Sequence, residues 1–129
     1  MLEVALARYH RTNMESSPST PDPHRVYLVI STAPDAAVAE SIAGALVEGG
    51  LAACVNIVPG LTSVFEWQGR IESASECLVI AKASGAVVER CVARITELHP
   101  YELPEAIAVS VDAGLNAYLD WVRAQSPGG

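Results

Sequence analysis

The chain has 129 residues, half of them hydrophobic, and a formal net charge of −7 with eight basic residues. This length suits one domain with a buried core, and the negative charge disfavours nucleic acid and anionic membranes as partners. No apolar run approaches the roughly 20 residues that span a membrane. The three cysteines form an odd set without close spacing, which is typical of reduced thiols, and we therefore predict a cytoplasmic protein.

The N-terminal segment differs in composition from the rest of the chain. From Arg8 to His24 it is rich in Thr, Asn, Ser, Pro and Asp and has almost no apolar residues, so burial would not repay the entropy of ordering it. We predict a mobile tail over residues 1–24 and one folded domain over residues 25–129. The first residues make a poor export signal, because Glu3 lies where positive charge is expected.

Hydrophobic periodicity and capping residues predict the strands and helices of the domain. Asp35 is more typical of a helix cap than of a metal ligand. In chain order the predicted elements are a strand over 26–31, a helix from Asp35 to Gly49, a strand over 52–58, a strand over 63–67, a strand over 71–82, a helix over 88–98, a strand over 106–111 and a helix over 116–125.

The connection between the second and third strands is predicted to be an extended hairpin. Pro59 and Gly60 interrupt the second strand, and pairing resumes before a turn at Gln68 and Gly69. Glutamine is less favourable than asparagine in a left-handed conformation. The sequence therefore favours a type I turn with Gly69 in a bulge.

The predicted order of elements is that of an α+β, ferredoxin-like βαββαβ sandwich with an extended hairpin and an added C-terminal helix. In such a sandwich the sheet face without helices is normally polar. Here both alternating sets of residues in the strands are apolar or small, as in Leu28 and Ile30 against Tyr27 and Val29. An apolar face of this size, exposed on a monomer, would promote association with other molecules, so we predict an obligate homo-oligomer.

A short polar segment between the second helix and the last strand is the strongest functional signal. Residues 98–105 place a histidine, a tyrosine and two glutamates around Pro100 and Pro104. Each proline fixes its own φ and restricts the residue before it, so the polar groups are held at definite angles. Loops of this kind on a rigid scaffold often carry function.

Several motifs together resemble the CutA divalent-cation tolerance proteins. They are Leu51-Ala-Ala-Cys-Val-Asn56, Ile57-Val-Pro-Gly60, Trp67 with Gly69, Glu76 with Lys82, His99-Pro-Tyr-Glu102 with Pro104-Glu105, and Tyr118-Leu119 with Trp121. The resemblance covers about residues 26–125. It implies a homotrimer of ferredoxin-like subunits, similar to the PII signalling proteins, with clefts between subunits and a link to copper and other divalent metals.

Cys54, His99 and Glu102 are the candidate metal ligands. Thiolate and imidazole suit Cu(I) and Zn²⁺, and a carboxylate adds a harder ligand. Their spacing contains no closely spaced pair, so a closed site has to be assembled from distant strands or from different subunits. The alternatives are that Cys54 is a small buried strand residue and that His99 bonds backbone carbonyls.

Four further residues are candidates for lining a ligand cleft. Lys82 could receive an anionic ligand or pair with Glu76 or Glu102, and we favour the ion pair. Tyr101 could bind through its hydroxyl or be a satisfied core phenol. Trp67 is more typical of a packing anchor at an interface than of a stacking platform.

The sequence thus favours a trimeric, non-enzymatic binding protein that holds copper, zinc or another divalent metal at inter-subunit clefts. No phosphate loop, dinucleotide fingerprint or Ser-His-Asp signature is present. Two alternatives remain: a PII-like signalling module that binds a small anionic ligand through Lys82 and His99, and a structural trimer that scaffolds an unknown protein partner.

Overall fold

The structure, a computed structural model, describes residues 20–128. Over this range the chain forms four strands and three α-helices in the predicted order, which confirms the ferredoxin-like α+β architecture with its long hairpin and C-terminal helix. The elements are β1 (Val26–Ala33), α1 (Ala36–Glu48), β2 (Cys54–Trp67), β3 (Arg70–Ser84), α2 (Val88–Leu98), β4 (Ile107–Ser110) and α3 (Asn116–Gln125), with a 3-10 turn at Gly85–Val87 before α2.

The strands of residues 20–128 form one antiparallel sheet in the order β2-β3-β1-β4. One face of this sheet packs against α1 and α2. The core between them contains Val29, Ala81, Ile42, Leu46, Val88, Cys91 and Ile95. Helix α1 begins where predicted, because the Asp35 carboxylate accepts a hydrogen bond from the Val38 N–H at 2.9 Å and so caps the first turn.

The opposite side of the sheet carries the second apolar surface that the sequence predicts. Strand pairing places Ile30 opposite both Ile80 and Ile107, and residues directly opposite each other share a face. We call this surface the rear face and define it by Leu28, Ile30, Leu78, Ile80, Ile107 and Val109. Four of these side chains are half-buried, whereas Ile107 and Val109 are exposed in the single chain.

Strand β2 runs without a break through the predicted interruption. Pairing with β3 shifts register between Val58 and Leu61, and Gly60 there has a φ of 82°. The segment of Pro59 and Gly60 is therefore a bulge within one long strand rather than a gap between two. The bulge takes up the one extra residue of β2 and strengthens the local twist, so the hairpin beyond it continues as an arm.

The turn of this hairpin differs from the prediction. Trp67 pairs directly with Arg70, and both residues between them have positive φ, 51° for Gln68 and 78° for Gly69. Two left-handed residues in a two-residue loop define a type I′ turn, so the predicted type I turn with a bulge is wrong. The twist of a type I′ turn matches that of the paired strands, and this outweighs the poor fit of glutamine.

We expect Gln68→Asn to stabilise the protein by about 0.5 to 1 kcal/mol, because asparagine tolerates the left-handed conformation better than glutamine. The check is the melting temperature at a fixed protein concentration, which should rise. An unchanged or lower melting temperature would show that Gln68 is not strained in the turn.

Residues 1–19 of the predicted mobile tail lie outside the described residues, but the last part of that segment contacts the domain. The Asp22 N–H donates to the Tyr27 hydroxyl at 2.8 Å, and the Ser84 hydroxyl donates to the Pro23 carbonyl at 3.3 Å. An Arg123 N–H donates to the His24 carbonyl at 3.2 Å. These bonds attach residues 22–24 to β1, β3 and α3.

Candidate functional site

The loop after α2 crosses the end of the sheet and carries the candidate site. Helix α2 ends because His99, which precedes Pro100, is extended with φ −77° and ψ 137°, the conformation that a following proline favours. The His99 N–H still donates to the Ile95 carbonyl at 2.9 Å. The imidazole is thereby turned from the helix end toward β1.

The His99 ring is buried and uses both of its nitrogens. Nδ1 accepts a hydrogen bond from the Tyr101 N–H at 3.1 Å, and Nε2 lies 2.6 Å from the Thr32 carbonyl oxygen. Since Nδ1 is an acceptor here, Nε2 carries the hydrogen that it donates to Thr32. The structure thus shows the interaction that the sequence offered as the alternative to metal ligation, a junction histidine bonded to a backbone carbonyl.

Tyr101 connects this histidine to a buried carboxylate. Its ring centroid lies 4.6 Å from that of His99, and its hydroxyl donates to Glu76 Oε2 at 2.7 Å. The Ser63 hydroxyl donates to the other oxygen, Oε1, at 2.5 Å. In the described part of the chain no Lys, Arg or His forms a salt bridge with Glu76, so hydroxyl groups alone offset the burial of this carboxylate.

A second carboxyl group lies close to the first. Burial, followed by the charge of Glu76, raises the pKa of Glu105 above its usual value of 4.5. We define the Glu76 cluster as Ser63, Glu76, His99, Tyr101 and Glu105. The repulsion between Glu76 and Glu105 is the kind of arrangement that a bound cation would relieve.

We expect Glu105→Gln to raise the melting temperature of the metal-free protein at pH 7. The raised pKa of Glu105 means that the folded state holds its proton more tightly than the unfolded state, so ionisation of Glu105 destabilises the fold as pH rises above 4.5. The gain from the substitution should shrink as pH falls toward 4.5 and vanish below it. Melting curves in EDTA between pH 4 and 8 test this, and a gain independent of pH would contradict it.

Cys54 and Lys82 lie at the other end of the sheet. They are directly opposite each other on β2 and β3. Lys82 is six residues from Glu76 on β3, a span of about 20 Å in a strand, so the predicted ion pair between them is wrong. No salt bridge of Lys82 with Glu102 or any other carboxylate occurs within residues 20–128. The Lys82 ammonium instead lies over the Tyr118 ring, 5.6 Å from its centroid.

The predicted metal ligands are not brought together within one chain. The His99 ring is bonded to Thr32, whose partner on β3 is Leu78. Cys54 has Lys82 as its partner on β3. Leu78 and Lys82 are four residues apart, which is about 13 Å along the strand. Glu102 is exposed on the loop. Over residues 20–128 no group of three or more His, Cys, Asp or Glu side chains is arranged to hold a metal ion.

The remaining cysteines and Trp67 have other surroundings. Cys77 and Cys91 are buried, and burial raises the pKa of Cys91 to about 12, which makes it inert. Trp67 is half-buried beside the turn of the arm, six residues along β2 from Leu61, the partner of Glu76. It is therefore remote from the Glu76 cluster of its own chain.

Sequence reasoning missed Ser63, Thr32 and the role of Glu105. Ser63 is opposite Ala74 and thus diagonal to Glu76 across the strand pair. Only the register of the hairpin reveals this, and the bulge shifts that register. Thr32 acts through its backbone carbonyl, for which the sequence has no signal.

Comparison with known proteins gives consistent results. A family model described as CutA1 divalent ion tolerance protein matches residues 27–125. The Divalent-cation tolerance protein CutA of Thermus thermophilus is 46% identical over 96 residues, covering 74% of this chain and 93% of that protein. Protein CutA of Homo sapiens is 44% identical over 101 residues, covering 78% of this chain but only 56% of the human protein.

The solved structures agree in fold. The crystal structure of CutA from Xylella fastidiosa has a TM-score of 0.78 and 45% identity, and the match covers 79% of this chain and 98% of that one. Among the helices between residues 20 and 128, none is long and apolar enough to cross a membrane. The match over residues 27–125, together with relatives of more than 40% identity, shows that this chain belongs to the CutA1 divalent ion tolerance family.

Proposed function

We propose that this protein is a homotrimer that binds divalent metal ions, copper among them, at the clefts between its subunits, and that it acts by binding rather than by catalysis. The observation that carries the proposal is the Glu76 cluster, where two carboxyl groups lie near each other and the pKa of Glu105 is raised. Two carboxylates that repel each other at a partly buried site favour binding of a cation, because its positive charge reduces the repulsion. Three free cysteines support the cytoplasm as its location.

The rear face supports an assembly of subunits. It is apolar on β1, β3 and β4, and Ile107 and Val109 remain exposed in the single chain. A contiguous apolar surface of this kind marks a protein interface. The resemblance to the CutA proteins implies three copies, and light scattering should then give three times the mass of the 13.6-kDa chain.

Assembly also offers a way to complete the metal site. Glu102 and Glu105 follow His99 on one loop, and Cys54 lies too far from them in the same chain. We propose that Cys54 reaches the loop of a neighbouring subunit, so that its thiolate joins the carboxylates. His99 can join the ligands only by exchanging one of its two hydrogen bonds for the ion; while it keeps both, it positions the loop.

Calorimetric titration of the metal-free protein with Zn²⁺, and then with Cu²⁺, tests this proposal. We expect Cys54→Ser, Glu102→Gln and Glu105→Gln each to weaken binding at least tenfold. Glu40→Gln, an exposed carboxyl on α1, is the matched control and should leave the affinity unchanged. If all four variants bind the metal as tightly as the unaltered protein, the proposed ligands are wrong. If the unaltered protein binds neither metal, metal binding itself is refuted.

A further inference from the structure

Lys82 is the only lysine of an acidic chain, and its charge is not balanced within that chain. It lies on the side of β3 without helices, directly opposite Leu28 of the rear face and Cys54 of β2. No carboxylate of residues 20–128 forms a salt bridge with it. The Tyr118 ring, whose centroid is 5.6 Å from Nζ, gives only a weak cation–π contact. In an assembly that covers the rear face, this ammonium group therefore needs a counter-ion from another subunit.

The loop after α2 has the opposite imbalance. Glu102 and Glu105 are exposed on this loop, and the buried Glu76 carboxylate is bonded to Tyr101 of the same loop. Within residues 20–128 none of these three carboxyl groups forms a salt bridge with a basic side chain. One chain thus has an unbalanced cation at one end of the sheet and unbalanced carboxyl groups at the other, about 20 Å away along β3.

Cys54 connects these two observations. The proposed metal site requires the Cys54 thiolate to reach the loop of a neighbouring subunit, and Lys82 is the direct partner of Cys54 across β2 and β3. Residues directly opposite each other in an antiparallel pair share a face, with their Cβ atoms about 5 Å apart. The lysine ammonium is carried on a long and flexible stem. The contact that brings Cys54 to the neighbour's loop therefore brings the Lys82 ammonium group there as well.

We propose that Lys82 pairs with Glu102 of the neighbouring subunit in the metal-free trimer, and that a divalent metal ion displaces its ammonium group. This pairing rests on the proposed function, because it uses the same contact between subunits. While the site is empty, the ammonium group offsets the repulsion between the carboxyl groups of the loop. A metal ion bound by Cys54 and Glu102 supplies positive charge itself, so the two cations compete for one carboxylate.

Charge reversal in the metal-free protein tests the pairing. In EDTA, Lys82→Glu and Glu102→Lys should each weaken the trimer, because each substitution brings two like charges together. The double variant restores an attractive pair with the charges exchanged, so its trimer should persist to concentrations roughly tenfold lower than those of either single variant. Light scattering over a dilution series gives the mass, and circular dichroism should be native for all three. Single variants that assemble normally, or a double variant no better than they are, would overturn the pairing.

Carbodiimide crosslinking locates the pair in the unaltered protein, because it joins an amine directly to a carboxylate in contact with it and the chain has one lysine. Trimers formed from a mixture of isotope-labelled and unlabelled chains should yield Lys82–Glu102 peptides of mixed labelling in mass spectra. Glu102→Gln should abolish this product, and Glu40→Gln, at an exposed position on α1, should not. Absence of the product, or a product confined to single chains, would overturn the pairing.

Zn²⁺ tests the displacement and separates this inference from metal binding. Saturating Zn²⁺ should lower the yield of the crosslinked product severalfold, because the ion then occupies Glu102. If calorimetry shows that Zn²⁺ binds while the yield is unchanged, the displacement is refuted. If Zn²⁺ does not bind but the double variant recovers its trimer, metal binding and displacement fail and the pairing stands. If Zn²⁺ binds and the double variant does not recover, the pairing fails and metal binding stands.

Discussion

Replacing Ile107 by aspartate is expected to dissociate the protein into folded single subunits. Ile107 is 53% exposed in the isolated chain, so a carboxylate there remains hydrated and the subunit itself is little affected. In the proposed trimer the same position is covered by a neighbouring copy. An unpaired carboxylate buried in an interface costs several kcal/mol, and three such sites would shift the association equilibrium by orders of magnitude.

The matched control is Val47→Asp. Val47 is 46% exposed on α1, so the substitution introduces the same charge at similar exposure but outside the rear face. Light scattering at micromolar concentration should give the mass of one chain for Ile107→Asp and that of the trimer for Val47→Asp, with native circular dichroism for both. A trimer in both cases would show that β4 is not part of the interface.

The architecture was predictable because it depends on local patterns. Periodic apolar residues indicated α1 and α2, and the cap at Asp35 was recognisable from residue type alone. The bounds of α3 were predicted correctly for the same reason. The type of the turn at Gln68 was predicted wrongly, because the twist of the two strands decides its geometry and the conformational preference of glutamine does not.

The site was only partly predictable because its contacts depend on strand register. The sequence indicated the polar loop around His99 correctly. It also favoured an ion pair of Lys82 with a carboxylate, either Glu102 or Glu76, of which Glu76 is on the same strand as Lys82. Six residues of extended chain separate them by about 20 Å, and the sequence contains no information on which carbonyl the His99 ring faces.

His99→Ala is expected to destabilise the protein by about 2 to 5 kcal/mol. The substitution removes the short hydrogen bond to the Thr32 carbonyl, which then keeps only the longer one from the Ser31 hydroxyl at 3.3 Å, and it removes the acceptor of the Tyr101 N–H. Each such weakening at a partly or fully buried group costs about 1 to 3 kcal/mol. Loss of the ring also removes its packing against Tyr101. The melting temperature should fall, and hydrogen exchange should accelerate over residues 99–105 more than in α1.

Two further variants separate loss of the hydrogen bonds from a general effect of removing a histidine. His99→Gln keeps an amide N–H that can donate to Thr32, so it should recover part of the lost stability, whereas His24→Ala, at an exposed position, should cost nothing measurable. If His99→Ala retains the full melting temperature and yet loses Zn²⁺ binding, the ring is a ligand rather than an anchor. If it loses stability and its loop exchanges rapidly, weaker metal binding follows from the displaced carboxylates of Glu102 and Glu105.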